Sequence, residues 1–137
     1  MGPVALDAAR FSEEQYLPGQ TVRFVVQWRG VANVGHDYNV FVHILNRDGS
    51  PVQGAKTDAD RTPMNNGVPA PTSSWTAGTI VNDTYDVVLP NNLPAGNYRL
   101  EVGLYDDRGR LQVVNYGNSV PQPQGVNSVL IRVIQVQ

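Results

Sequence analysis

Apolar and polar residues alternate with a period of two along most of this chain, and sustained helical spacing is nearly absent. The clearest stretch is residues 21–29, where Val22, Phe24, Val26 and Trp28 form one apolar face behind the turn-forming Leu17-Pro18-Gly19-Gln20. Residues 38–45 place Tyr38, Val40, Val42 and Ile44 on one face and Asn39, Phe41, His43 and Leu45 on the other, the composition of a central strand. Asn46-Arg47-Asp48-Gly49-Ser50 then has the chemistry of a tight turn, predicting a hairpin that returns through residues 52–57. Alternation resumes over residues 79–89 (Val81, Tyr85, Val87, Leu89) and again over 97–105 (Tyr98, Leu100, Val102, Leu104). Asp106-Asp107-Arg108-Gly109 predicts a second hairpin into residues 111–114, and residues 4–8 and 126–136 complete the set.

About eight strands joined by hairpins and two long crossovers predict an all-β fold, a two-sheet antiparallel β-sandwich of the immunoglobulin-like or jelly-roll type. Thirteen glycines and ten prolines, falling mostly between the apolar runs, supply the punctuation such a fold needs. Residues 58–78 break the rhythm: Pro63, Pro69 and Pro71 with Asn65, Asn66 and Gly67 make one long irregular connection, a length usually reserved for function or for crossing between sheets.

The 137 residues, 41% hydrophobic and 16% charged, fit one folded domain spanning 1–137. Ten Lys and Arg against twelve Asp and Glu leave a net charge of -2, which gives no field to attract a phosphate backbone, so nucleic acid is not an expected partner. The absence of cysteine excludes disulfides, thiolate metal sites and a Cys nucleophile. No apolar run is long enough to insert into a membrane, and the N-terminus lacks a basic-then-apolar export signal; a signal or anchor is expected outside these residues.

The ordered set Val40-Phe41-Val42-His43-Ile44-Leu45, Asp48-Gly49, Pro71-Thr72-Ser73-Ser74-Trp75-Thr76-Ala77-Gly78, Asp83-Thr84-Tyr85 and Leu93-Pro94-Ala95-Gly96-Asn97-Tyr98 through Tyr105 spans residues 18–114 in outline. It resembles bacterial β-sandwich accessory domains, notably of Chloroflexi type, found at the extracytoplasmic ends of glycosyltransferase-like membrane proteins and on other surface proteins. The resemblance implies an exported, non-catalytic module at the cell surface and carries no active site with it. Asp58-Ala59-Asp60-Arg61-Thr62-Pro63 departs from the family's shorter turn.

The candidate chemistry is that of binding. Trp75, in an irregular segment beside Thr72, Ser73 and Ser74, would offer a flat face to a sugar ring if exposed, with Asp83 or Asn82 hydrogen-bonding hydroxyls and Tyr105 and Tyr116 extending the platform. The competing structural role for Trp75 is to plug the sandwich where the crossover returns, its indole N–H on a carbonyl. Trp28 belongs to an inward face, and Tyr16 lies near a turn. His36 and His43 are the only imidazoles, too few for a zinc site; His43 is expected to pack half-buried and bond a carboxylate such as Asp60. Asp58 and Asp60, with Asn65 and Asn66, are weak calcium candidates, since the same residues are ordinary turn formers; no other cofactor is expected. With no Gly-x-Ser-x-Gly turn and no singled-out carboxylate pair, an enzyme is not expected. A glycan or other cell-envelope component is the expected partner, and the alternative is a spacer or assembly module that contacts other domains of a larger surface protein.

Overall fold

The computed structural model describes residues 2–115 and 127–137, folded as an immunoglobulin-like two-sheet β-sandwich. Its strands are β1 (Val4–Phe11), β2 (Gln15–Tyr16), β3 (Thr21–Gly30), β4 (Asn39–Leu45), β5 (Lys56–Thr57), β6 (Met64–Asn65), β7 (Val68–Pro69), β8 (Ile80–Val88), β9 (Gly96–Asp106), β10 (Gly109–Leu111), β11 (Val113–Asn115) and β12 (Val129–Val136). One sheet runs β11-β1-β3-β8-β5. In the other, β9 carries β4 along one edge, while β10 and β12 share the opposite edge and β2 extends β12. Most pairings are antiparallel; β11 on β1 and β2 on β12 are parallel additions.

The period of two decides what lies between the sheets. Val22, Phe24, Val26 and Trp28 of β3 all have near-zero exposure and meet Val40, Val42 and Ile44 of β4, with Tyr98, Leu100, Val102 and Leu104 of β9 beside them. Trp28 is a core residue whose indole N–H donates to the Tyr85 hydroxyl at 3.3 Å. Tyr16 is buried in the same core, and its hydroxyl has no partner among the described residues.

The expected hairpin after β4 does not form. The Asn46 turn is present, closed by Gly49 N–H to Asn46 O, but residues 52–57 leave β4 after a single bridge between Leu45 and Pro51. They climb to the other sheet, where β5 pairs with β8, and return so that Asp60 and Arg61 bridge Val40. Gly54, at φ 84°, turns this arch over, and alternation is too short in residues 52–57 to hold a strand against β4.

The long crossover closes the open side of β8. Asp58 N–H donates to Asp86 O and Asp58 Oδ1 accepts from Asp86 N–H, Asn65 Oδ1 accepts from Asn82 N–H, and Arg61 donates to Thr84 O. Side chains, with the main-chain N–H groups of Asp58 and Asn66, thus stand where a further strand would have placed its ladder. The short β6-β7 hairpin and a 3-10 turn at Thr72–Ser74 follow. Thr72, fully buried, ties the crossover to the loop before β4 by donating to His36 O and accepting from Tyr38 N–H.

Candidate functional site

Trp75 is not a platform for sugar. It is 1% exposed, and its indole N–H donates to Ala70 O at 3.0 Å, so the ring plugs the sandwich where the crossover re-enters the fold. Asp83 is likewise unavailable. It shares the inward phase of Val81, Tyr85 and Val87, and at 2% exposure it receives both Arg61 guanidinium nitrogens (2.9 and 3.0 Å), the Tyr85 hydroxyl (2.6 Å) and Met64 N–H (3.0 Å). Burial, then Asp83, push the Tyr85 phenol well above its ordinary pKa, so it stays a donor. Asn82 is on the outer face, its carbamoyl oxygen occupied by Gln27. Tyr116 lies outside the described residues.

The calcium candidates are not gathered either. Asp58 serves Asp86 and Asn65 serves Asn82, positions four residues apart on β8 and therefore about 13 Å apart along the strand. Asp60 turns the other way, toward β4 and β9. Among the described residues no group of three or more His, Asp, Glu or Cys could hold a metal ion.

What the structure assembles instead is a groove of about 360 Å³ on the outer face of β4, β9 and β10, lined by Phe41, His43, Asp60, Tyr105, Asp106, Gly109 and Arg110. The outward phase of β4 supplies Phe41 and His43, and that of β9 supplies Gly103 and Tyr105. Gly103 sits opposite Phe41 in the register, where an added Cβ would lie 2.4 Å from the Phe41 ring; the missing side chain is what lets the ring settle on the sheet. Arg110 covers that ring, its guanidinium carbon 4.4 Å from the centroid, and His43 rests beside it at 4.8 Å. Phe41 is therefore a floor, with 3% of its surface exposed.

The polar groups on that floor have capacity to spare. The Tyr105 hydroxyl donates to Asp60 Oδ1 at 3.0 Å, while Asp60 Oδ2 accepts nothing from the described residues. His43 does not bond Asp60, contrary to the expectation; it is exposed, and neither ring nitrogen has a partner among the described residues. Desolvation, then Arg110, hold its pKa below the ordinary imidazole value, so at neutral pH it carries one donor and one acceptor. Burial and Asp60 raise the Tyr105 phenol, keeping it protonated. Asp106, held as a carboxylate by Arg108, closes the far end at 2.9 Å from that residue's Nε. The sequence signal for this site was the second, less apolar face of β4 and the candidate Tyr105; Asp60 stood out as a possible calcium ligand and as a partner for His43, and Arg110 not at all.

A second cleft, of about 260 Å³, opens at the edge between the sheets beneath the arch, lined by Val42, His43, Ile44, Leu45, Pro51, Val52, Ala55, Lys56, Thr57, Asp60 and Val87. His43 and Asp60 line both concavities, so groove and cleft lie side by side at the edge of β4.

No helix of the described residues is long and apolar enough to cross a membrane. No protein-family model matches the sequence, and no curated protein does. Among solved structures, the chain is similar to a Niemann-Pick type C2 protein from the Japanese carpenter ant, with a TM-score of 0.54 over 98% of this chain and 92% of that one, at 7% sequence identity. At that identity the likeness is one of fold alone, and the fold it shows is the immunoglobulin-like sandwich.

Proposed function

We propose that this chain is a non-catalytic, extracytoplasmic module that binds carbohydrate in the groove over β4, β9 and β10, as part of a surface protein acting on or near cell-envelope glycan. The observation that supports it is the convergence of Tyr105, His43 and Asp60 on one concave, strand-built surface with hydrogen-bonding positions unspent. A sugar hydroxyl both donates and accepts. A neutral imidazole, a carboxylate oxygen and a phenol match that duality, and the half-buried Tyr105 ring offers a flat face for pyranose C–H bonds. His43 and Tyr105 stand on paired strands and Asp60 is tied to β4 by its N–H on Val40 O, so the cost of ordering these side chains has been met in folding. The sequence resemblance to accessory domains of glycosyltransferase-like proteins supports the same reading and the same location.

A glycan array followed by affinity electrophoresis tests it. Tyr105→Ala and Asp60→Asn are expected to weaken binding at least about tenfold, the scale of one or two lost hydrogen bonds with their contact area. Asn82→Ala, on the outer face of the other sheet, is expected to leave binding unchanged. Retention of full affinity by Tyr105→Ala, or no binding to any glycan, overturns the reading.

A further inference from the structure

The edge cleft beneath the arch contains a main-chain vacancy. Along the outer edge of β4, Val40 N–H donates to Arg61 O and Val40 O accepts from Asp60 N–H, while Ile44 O accepts from Val52 N–H. Val42 lies between them and, by the two-residue period of a strand, aims its N–H and C=O the same way, into the cleft. Neither group has a partner among the described residues, although Val42 is only 4% exposed. A main-chain donor and acceptor that face a cleft unpaired are positions a ligand can satisfy. Around this polar point the cleft is aliphatic: Val42, Ile44 and Val87 form its depth, and Val52 and Ala55 its rim.

From this we infer that the edge cleft receives the acyl chain of an acylated sugar, with Val42 N–H donating to the acyl carbonyl and the sugar ring lying in the adjoining groove. The inference rests on the carbohydrate reading for the ring and adds the class of substituent. Three features lead to it. The cleft and the groove are neighbours, with His43 and Asp60 lining both, so a ring in one and a chain in the other lie within the span of a single ligand. The volume of about 260 Å³ falls just below that of drug-sized pockets, which suits a short linear chain rather than a fused ring system. The arch bridges β4 on both sides of Val42, at Pro51 and at Arg61, so a strand laid along the edge is excluded, whereas a thin chain entering end-on is not.

The probes are glucosamine, N-acetylglucosamine, N-hexanoylglucosamine and hexanamide, titrated by calorimetry and by amide NMR of the wild type and of Ala55→Phe, which fills the rim. N-Hexanoylglucosamine is expected to bind at least about tenfold more tightly than N-acetylglucosamine, from the methylenes it buries, and to move the Val42 amide resonance saturably. Ala55→Phe is expected to remove that gain and leave glucosamine affinity unchanged. Equal affinity for the acetyl and hexanoyl sugars, or a gain that survives Ala55→Phe, overturns the acyl site while leaving the sugar groove standing. Conversely, if hexanamide shifts Val42 in the wild type and no unacylated sugar binds, the acyl site holds and the carbohydrate reading fails. The NMR titration needs only the wild type, so a poorly folded variant does not remove the test.

Discussion

Asp83 shows how one side chain can mislead a reading of sequence and yet be legible in it. Its polarity suggests a ligand for solvent or sugar, whereas its phase, two residues from Val81 and from Tyr85, sends it inward. A carboxylate there persists because Arg61 reaches it from the crossover, with Tyr85 and Met64 satisfying the remaining lone pairs. Arg61→Ala removes the counter-charge and leaves the carboxylate buried, so urea denaturation is expected to show a loss of about 3–5 kcal/mol. Tyr16 gives the opposite result. Its hydroxyl is buried without a partner among the described residues, and Tyr16→Phe is expected to hold or raise the unfolding free energy, by up to about 1 kcal/mol, because the phenol's desolvation is then avoided. A clear loss would mean that the hydroxyl has a partner. Trp75 was ambiguous for a different reason: no periodicity surrounds it, and only the position of Ala70 O decides that the indole faces in.

At the scale of elements, the long strands were legible and the short ones were not. The alternating apolar faces forecast β3, β4, β8 and β9 to within one or two residues, since each buries a full row of side chains. β2, β5, β6 and β7 hold two residues each, too few for any pattern, and are placed by the partners they meet rather than by their own composition. The groove was half-legible: the outward row of β4 is in the sequence, but the register that sets Gly103 against Phe41 is not. That register carries a test. Gly103→Ala puts a methyl into the Phe41 ring, a strain expected to cost about 1–3 kcal/mol and to displace the groove floor, lowering glycan affinity. Adding Phe41→Val should recover the stability without the binding, as chemical denaturation beside a titration will show.

For the whole molecule, acid acts on several sites in the same direction. His43 has a folded pKa below its ordinary 6.5, so the unfolded chain binds its proton first, and stability falls as pH drops through that value toward the folded one. Asp86, held low first by its hydrogen bond to Arg23, and Asp106, held low first by Arg108, have folded pKa values below the ordinary 3.8. The stability they add is present above that value and is lost as pH falls through their folded values. Denaturation midpoints are therefore expected to decline from neutral pH to about pH 5 and further to about pH 3, with Asp86→Asn flattening the lower part. These groups are exposed enough that the decline is shallow.

The side chains that stand in for a strand beside β8 protect the molecule from its own copies. Were Asp58 and Asn65 replaced by alanine, the sandwich would still close through β3, yet the Asn82 and Asp86 amides would lose their acceptors and open part of the outer edge of β8 as a template for fibril growth. Concentrated solutions of that double variant are expected to develop thioflavin fluorescence with a shorter lag than the parent. The irregular crossover would then count as a solubility device, selected for how rarely two molecules stick.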